Sequence, residues 1–476
     1  MEMLTNTTDD FLIDGLSFKL PPGASYVTDR KSSTFWSVGS NAYTPVGGVK
    51  LIKFQLNGDD GNWLDPSTVV FQFELVNTTA ANPNFVPCLR PLGAPHLFFK
   101  RLRVLAGGQV VEDIQDFGRN SELLANLDLN DVREDDDIQG FGSRFDKKSI
   151  RDLDDLPNIG ADAAGQAAYT ALIRTQQRNL LPQIVPGDSK IVNFRPLCGL
   201  LHQDHLLPLK FCPIVLEFEL GDINDAIVTP IDYVAGSGYN IIYTDENTCN
   251  TWQIQNACIK CDILTIDNAL NNSFIEHLLS GKSLPLKYHT FISQQSSIVG
   301  KNFSVQVIRA VTKLEKAFIS FYSDRADNVV VPFRKPTVYF HHPMSEANIL
   351  YDMTKEIQIA LQLGSKLYPE YPTNNLSECF YRLKEALNLP DKHQHAISIQ
   401  FKDYKSNKFI YCTDFQKIAD ASWSGVNTKA GQVLMVNVKA LNPEGIQDNN
   451  IATTMYTLLQ AEQILEIRDV GCTVYD

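Results

Sequence analysis

The sequence predicts an all-β fold of antiparallel sheets, because apolar and polar residues alternate with a period of two at many places. Clear examples are "VVFQFEL" (69–75), "IVLEFEL" (214–220) and "VLMVNV" (433–438). Turn-forming clusters such as "NGDDGN" (57–62) separate these segments, and strands do not alternate with helices as they do in a doubly wound fold. We therefore expect antiparallel sandwiches.

Each strand is assigned from the same pattern. In the first example Val69, Phe71 and Phe73 share one face, while Gln72 and Glu74 point to the other, as expected for a half-buried strand. Further alternating segments are 49–56, 303–307, 317–322 and 396–401.

Two short helices are predicted between the strands. Residues 375–387 begin at Asn375, which can cap the helix together with Glu378 three residues later. Residues 269–281 carry an apolar stripe and end at Gly281. A return to extended chain follows, so we place the boundary between two large units there.

The chain is accordingly divided into three parts. Residues 1–40 are polar with a few apolar anchors, which is typical of an arm that docks on another surface. Residues 41–281 form the first β-unit and residues 282–476 the second. The first unit contains the least regular stretch, about 126–190, which we expect to be a long exposed loop.

Composition and charge exclude several classes of function. The 476 residues carry a formal charge of −13, so binding to the nucleic-acid phosphate backbone is not expected. Neither a secretory signal nor a run of 18 apolar residues is visible, so membrane contact is not indicated and synthesis in the cytosol is expected. Nine scattered cysteines predict reduced thiols.

His393-Gln394-His395 is the sharpest candidate for a metal site, because a two-cupin metalloenzyme would match the length and the strand content. A cupin site needs a Glu soon after the pair and a further His downstream. Neither is present, and two ligands make a poor site. We interpret the pair as polar residues at the start of a strand.

Other candidates are weaker. Cys258 and Cys261 lie three apart in an alternating segment and so point to opposite faces of a strand, which predicts structural cysteines. Histidines 202, 205, 341 and 342 lie in predicted loops or turns, and the acidic clusters at 131–137 and 151–155 do not have the spacing of an EF-hand. With no phosphate-binding, hydrolase or dinucleotide motif, we expect no enzyme activity and no cofactor.

Specific segments resemble double jelly-roll major capsid proteins. Those similar to the second jelly roll are 356–387, with "LYPEYPTNNLSECFYRLKEAL", 409–441 and 454–476. Those similar to the first are 42–75, 97–119 and 252–281, the last covering its final strand and a linking helix. The family members that the chain most resembles are those of polinton-like viruses, adintoviruses and virophages, in the lineage of PRD1 and adenovirus.

This resemblance implies two consecutive eight-stranded jelly rolls with a few short helices in loops. It implies a homotrimeric, pseudo-hexagonal capsomer that tiles the icosahedral shell of a double-stranded DNA virus or virus-like element. The partners would be neighbouring capsomers, penton proteins and minor or cement proteins, and the location would be the virion. Expected subunit or shell contacts are Phe11, Leu12 and Phe18 in the arm, and Tyr368, Pro369, Tyr371 and Pro372 in an aromatic loop.

Two alternatives stay open from the sequence. One is a bicupin-like metalloenzyme that uses His393 and His395, and the other is a sugar-binding β-sandwich protein with an exposed aromatic platform.

Overall fold

The structure, a computed structural model, describes most of the predicted β-segments. The described residues are 26–81, 94–127, 184–223, 231–233, 241–243, 249–322, 357–389, 409–418, 423–429, 432–441 and 452–475, with isolated positions between them.

Strands dominate the first part of the chain. The described strands are β1 (Val27–Trp36), β2 (Ala42–Tyr43), β3 (Leu51–Leu56), β4 (Asn62–Asn77), β5 (Phe99–Ala106), β6 (Gln109–Gln115), β7 (Ser189–Phe194), β8 (Leu207–Pro208), β9 (Ile214–Leu220), β10 (Ile231–Tyr233), β11 (Ile241–Tyr243) and β12 (Trp252–Ile266).

The long strands of this part form two four-stranded antiparallel sheets, with the orders β1-β12-β4-β7 and β3-β9-β5-β6. The short strands β2 and β8 extend the first sheet, and β10 pairs with β11. When the eight long strands are numbered along the chain, the sheet orders are 1-8-3-6 and 2-7-4-5. This is the connectivity of a jelly roll.

The second part repeats the pattern. Its described strands are β13 (Leu284–Ser297), β14 (Phe303–Val307), β15 (Leu314–Tyr322), β16 (Gln358–Leu363), β17 (Lys366–Thr373), β18 (Tyr411–Asp414), β19 (Leu434–Lys439), β20 (Thr454–Arg468) and β21 (Gly471–Tyr475). Its sheets have the orders β13-β20-β15-β18 and β14-β19-β16-β17, with β21 added beside β20. The same eight-strand order therefore occurs twice, which confirms the predicted double jelly roll.

The core of the first jelly roll is aromatic. On β4, the side chains of Val69, Phe71, Phe73 and Leu75 have no solvent exposure, as their alternation predicts. The ring of Phe71 lies 4.6 Å from that of Phe218 on the opposite sheet, measured between centroids. Burying such rings supplies the main driving force for closing the two sheets on each other.

Three α-helices are described: α1 (Phe117–Ala125), α2 (Asn268–Leu279) and α3 (Leu376–Ala386). The predicted N-cap of α3 is present, and α2 has an N-cap that was not predicted. Asn375 accepts a hydrogen bond from the Glu378 backbone N–H at 2.6 Å, and the Glu378 carboxylate accepts one from Asn374 N–H. At α2, Asp267 accepts from the Ala269 N–H.

Helix α1 was not predicted. Its first residue follows Asp116, which has a left-handed backbone conformation and makes no side-chain cap, so the usual signal for a helix start is missing. The helix is fixed instead by its neighbours, since the buried His96 imidazole lies 3.1 Å from the Glu122 carboxylate.

The structure differs from the predicted N-terminal arm at the end of that arm. Residues 27–36, predicted as part of an arm spanning 1–40, form β1, which pairs with β12 along its length. The strand lies at the edge of its sheet and is mostly exposed, so its sequence lacks the apolar alternation that marks half-buried strands. Residues 1–25 lie outside the described part of the chain.

Candidate functional site: the seam and the exposed edges

The two jelly rolls meet along a packed seam. From the first roll, β6, α1 and the short 3-10 turn Gly199–Leu201 contact β13 and β21 or the core of the second roll. Leu286, Tyr288 and Leu465 belong to the second roll by sequence but pack into the core of the first. The seam is therefore a continuous part of the hydrophobic core.

Polar side chains also join the rolls. The Tyr288 hydroxyl is a hydrogen-bond donor within the seam. Its oxygen lies 2.8 Å from the Gln463 side-chain oxygen and 3.3 Å from the carbonyl oxygen of Val111 in the first roll. The hydroxyl of Ser293 donates to the carbonyl of Gln115 at 3.1 Å. Such buried bonds fix the relative position of the rolls, because breaking one leaves a polar group without water.

Glu112 is the most unusual group in the seam. Its side chain lies on β6 and the residue is 2% exposed. The carboxylate accepts hydrogen bonds from the Cys198 thiol at 2.7 Å and from the backbone N–H of Gly199 at 3.0 Å. Burial raises the pKa of Glu112 to about 7, against the lowering effect of these bonds and of one from Thr290 on β13.

An ion pair between the exposed His289 and the buried Glu315 lies on the second roll close to the seam. The His289 ring nitrogen Nδ1 is 2.9 Å from the Glu315 carboxylate, which also accepts from Gln416 and Gln460. The bond to Glu315 raises the pKa of His289. Burial of Glu315 is the largest effect and opposes its ionisation. The hydrogen bond and charge of His289, together with the bonds from Gln460 and Gln416, outweigh burial and lower the pKa of the carboxyl.

Two thiols meet at the seam as well. Cys212 and Cys472 are both buried, and a hydrogen bond between them, together with burial, raises the pKa of Cys212 well above its usual value. All eight cysteines within the described ranges are free. Cys258 and Cys261 are buried on β12, as predicted for structural cysteines.

One edge of the first roll carries an exposed apolar patch, which we call the Trp36 patch: Trp36, Val38, Val49 and Leu51. These residues are 60, 49, 50 and 45% exposed. The backbone N–H of Val38 donates to the carbonyl of Lys53 at 2.8 Å, so the ends of β1 and β3 lie side by side. Among the described strands, each of these two has a pairing partner on one side only. Large exposed apolar residues at open edges are typical of surfaces that another chain covers.

The second roll has a comparable edge. Its second strand, β14, pairs with β19 alone among the strands that the structure describes, and Ile308 directly after β14 is 78% exposed. Val433, next to the partner strand, is 40% exposed, and Val299 before β14 is 87% exposed. Corresponding edges of the two rolls thus carry apolar residues.

The predicted aromatic loop is an edge strand instead. Residues Tyr368 to Pro372 lie within β17, whose pairing with β16 is interrupted between Thr373 and Tyr368. The two prolines fall in this bulge, where a missing N–H costs no ladder hydrogen bond. Tyr371 is 76% exposed, whereas the Tyr368 ring packs at 4.9 Å from that of Phe415.

The remaining predicted contacts and metal candidates are mostly outside the described residues. Phe11, Leu12, Phe18, His341, His342, His393 and His395 all fall there, as do the acidic clusters. His202 is described, and its ring lies 2.7 Å from the carbonyl oxygen of Cys198. Within the described ranges, no three His, Cys, Asp or Glu side chains are arranged to hold a metal ion.

Sequence reasoning missed both the seam and the Trp36 patch. The seam involves residues that are distant in the chain, and Glu112 sits in an ordinary alternating strand. The Trp36 patch was hidden by the assignment of residues 27–36 to an arm. An aromatic pair, Phe35 and Trp36, could have indicated a strand with one buried and one exposed ring.

No helix among the described residues is long and apolar enough to cross a membrane.

Comparison with known proteins identifies the architecture. No family model and no curated protein sequence matches the chain. A cryo-EM structure of the Sputnik virophage aligns with a TM-score of 0.55 at 9% identity, over 100% of this chain and 93% of that one. The Faustovirus major capsid protein aligns with a TM-score of 0.54 at 9% identity, over 96% and 93%.

A quasi-atomic model of the PBCV-1 virus capsid aligns with a TM-score of 0.51 at 11% identity, over 96% of this chain and 99% of that one. Alignments that cover nearly all of both chains at such low identity establish the fold and not the function. The strand order and these alignments agree, and the chain has the double jelly-roll fold of viral major capsid proteins.

Proposed function

We propose that this protein is the major capsid protein of a double-stranded DNA virus or virus-like element, and that three copies form a pseudo-hexagonal capsomer. The observation that carries the proposal is the repeated strand order, 1-8-3-6 and 2-7-4-5, in one chain. Three such chains around a threefold axis supply six similar wedges. A ring of this kind closes without leaving a free interface.

We assign the two rolls to the units 41–281 and 282–476, with β1 added to the first. The seam supports a rigid wedge, since apolar core contacts and the hydrogen bonds of Tyr288 to Val111 and of Ser293 to Gln115 cross it. A wedge that bent at the linker would not keep a fixed angle between the rolls, and that angle determines how the ring closes.

We assign the contacts between subunits to the exposed edges. The Trp36 patch and Tyr371 on β17 present large apolar or aromatic side chains to solvent. Aromatic side chains are enriched in protein interfaces and contribute a large part of their binding energy. Pro369, Pro372 and the half-buried Tyr368 would keep β17 in position, and Phe11 and Leu12 in the preceding arm would reach a neighbouring subunit.

The virion shell is the location that this function implies. The partners would be neighbouring capsomers, penton proteins and minor or cement proteins. A formal charge of −13 supports a shell protein that stays soluble before assembly and does not bind the genome directly. Catalysis has no part in this function.

Electron microscopy of the purified full-length protein tests the proposal. Averaged images should show a particle with threefold symmetry and six lobes, seen along its axis. A two-lobed particle without symmetry at every protein concentration would contradict a preformed capsomer.

A further inference from the structure

An apolar cavity of about 370 Å³ lies where helix α2 crosses the junction of the two rolls. Its lining includes Trp63, Leu206, Leu270, Phe274, Leu284 and Ile467. The volume is at the lower end of the roughly 300–1,000 Å³ found for small-molecule sites. The cavity is open to solvent and borders the seam at Leu286, but it does not include the Trp36 patch.

The face of α2 above the cavity is incompletely covered. Leu278, near the end of the helix, is 2% exposed, whereas Leu270 and Phe274 are only half-buried. The ring of Phe274 lies 5.1 Å from that of Trp63, on the floor of the cavity. Covering this surface would remove apolar area from water, at roughly 25 cal/mol per Å².

The chain itself leads to the cavity. Tyr26 and Val27 form one wall of it, and the carbonyl oxygen of Tyr26 accepts a hydrogen bond from Asp267 N–H at 2.7 Å. Asp267 is the N-cap of α2. The described chain thus begins beside the cavity, and 25 residues precede Tyr26 in the sequence.

Those residues have suitable chemistry. The stretch "FLIDGLSFKLPPGAS" (11–25) carries several apolar side chains, including Phe18. Seven residues separate Phe18 from Tyr26, a span of up to about 25 Å when extended. Pro22-Gly23 is a sequence that favours a type II turn, which reverses the direction of the chain and returns it toward its own start.

We propose that Phe18 of the same chain fills this cavity and covers the half-buried apolar side chains of α2. The turn at Pro22-Gly23 brings the side chain back to the wall formed by Tyr26. Phe11 and Leu12, at least six residues earlier, stay available for a neighbouring subunit. The inference concerns the folded single chain and does not require the capsomer.

Disulfide trapping in the full-length protein tests this placement. The substitutions Ser17→Cys and His205→Cys put one thiol next to Phe18 and one at the polar rim of the cavity. Mild oxidation by glutathione disulfide should form an intramolecular bond between them, identified by mass spectrometry of peptides. Adding Phe18→Asp should reduce the yield severalfold, whereas adding Phe11→Asp should leave it unchanged.

The other outcomes have definite meanings. A bond between two chains would assign the cavity to a neighbour's arm and overturn the same-chain placement. Equal yields with and without Phe18→Asp would also overturn it. Because the bond is read on the denatured protein, an intramolecular bond in a monomeric sample would support this inference even if the proposed capsomer failed.

A dye experiment gives a second measurement. The wild-type protein should bind little anilinonaphthalene sulfonate at the cavity, and Phe18→Asp should raise the dye fluorescence severalfold because it uncovers apolar surface. Phe11→Asp serves as the matched control and should not change it. Strong dye binding by the wild type, unaffected by Phe18→Asp, would show an open site for apolar small molecules and contradict the proposal.

Discussion

Gly199 of the first jelly roll packs against the carbonyl oxygen of His289 in the second: a Cβ at position 199 would lie 1.5 Å from that oxygen. The same Cβ would be 2.9 Å from the Glu112 carboxylate. Backbone therefore meets backbone across the seam, and only glycine allows so close an approach. The relative position of the rolls depends on this contact.

Gly199→Ala should consequently destabilise the protein. The backbone of β13 cannot move without disturbing its pairing with β20, so we expect a loss of roughly 1–3 kcal/mol or more in the free energy of unfolding. Chemical denaturation measures the loss. Gly48→Ala is the control, because its added Cβ meets the Thr44 hydroxyl, which can rotate away. Equal stability of the two variants would contradict a tight seam at Gly199.

Glu112 should make the seam sensitive to pH. Its pKa is raised from 4.5 to about 7 in the folded protein, so between these values the folded state keeps a proton that the unfolded state has lost. The free energy of unfolding should fall as pH rises through this window, by roughly 3 kcal/mol in total at ~1.36 kcal/mol per pKa unit. Above about pH 7 this contribution should be constant.

Glu112→Gln removes the titration and is measured against the wild type by denaturation at several pH values. The difference in stability between the two should depend on pH between 5 and 7, and contributions from other groups, such as the His289 and Glu315 pair, cancel in it. Asp204→Asn, in an exposed loop, controls for the loss of one charge. A difference that stays constant over this range would rule out a raised pKa at Glu112.

Trp36→Asp should weaken assembly without unfolding the chain. The side chain is 60% exposed on an edge strand, so a charge there costs little in the isolated subunit but is buried without a partner in the proposed interface. Sizing with light scattering should show a shift from trimer toward monomer. Val470→Asp is the matched control, since Val470 is 98% exposed at a hairpin tip. If the Trp36→Asp protein stayed fully trimeric, the Trp36 patch would not be part of the interface.

Replacing both His393 and His395 with Ala should leave the native mass unchanged. These residues lie outside the described part of the chain, and the capsid function gives them no metal. The bicupin alternative instead needs about one tightly held ion per competent site. Elemental analysis of the wild type and the variant discriminates: a stoichiometric metal that disappears on substitution would favour the enzyme.

The sequence predicted the strands and the two-roll architecture well, because half-buried strands carry their burial in a period of two. Val69, Phe71 and Phe73 are examples, and their lack of exposure confirms the pattern. The cap at Asn375 was also predictable, because its hydrogen bond joins residues three apart and therefore has a local sequence signal. Short segments of the sequence are therefore enough to predict the strands and this helix cap.

The assembly surfaces and the seam were not predictable in this way. Strand β1 is exposed on most of its length, so no alternation marks it. Glu112 and Gly199 are 87 residues apart in the sequence, and the residues around them give no local signal of their contact. Tyr371 was recognised as aromatic and proline-flanked, but its place in a bulged edge strand depends on β16.

The native mass of the purified full-length protein, determined by light scattering behind a sizing column, tests the central claim most directly. The chain has a mass of 53.3 kDa, and three copies give about 160 kDa. A stable species at that mass over a wide concentration range is the predicted result. A monomer or dimer throughout the range would contradict the capsomer.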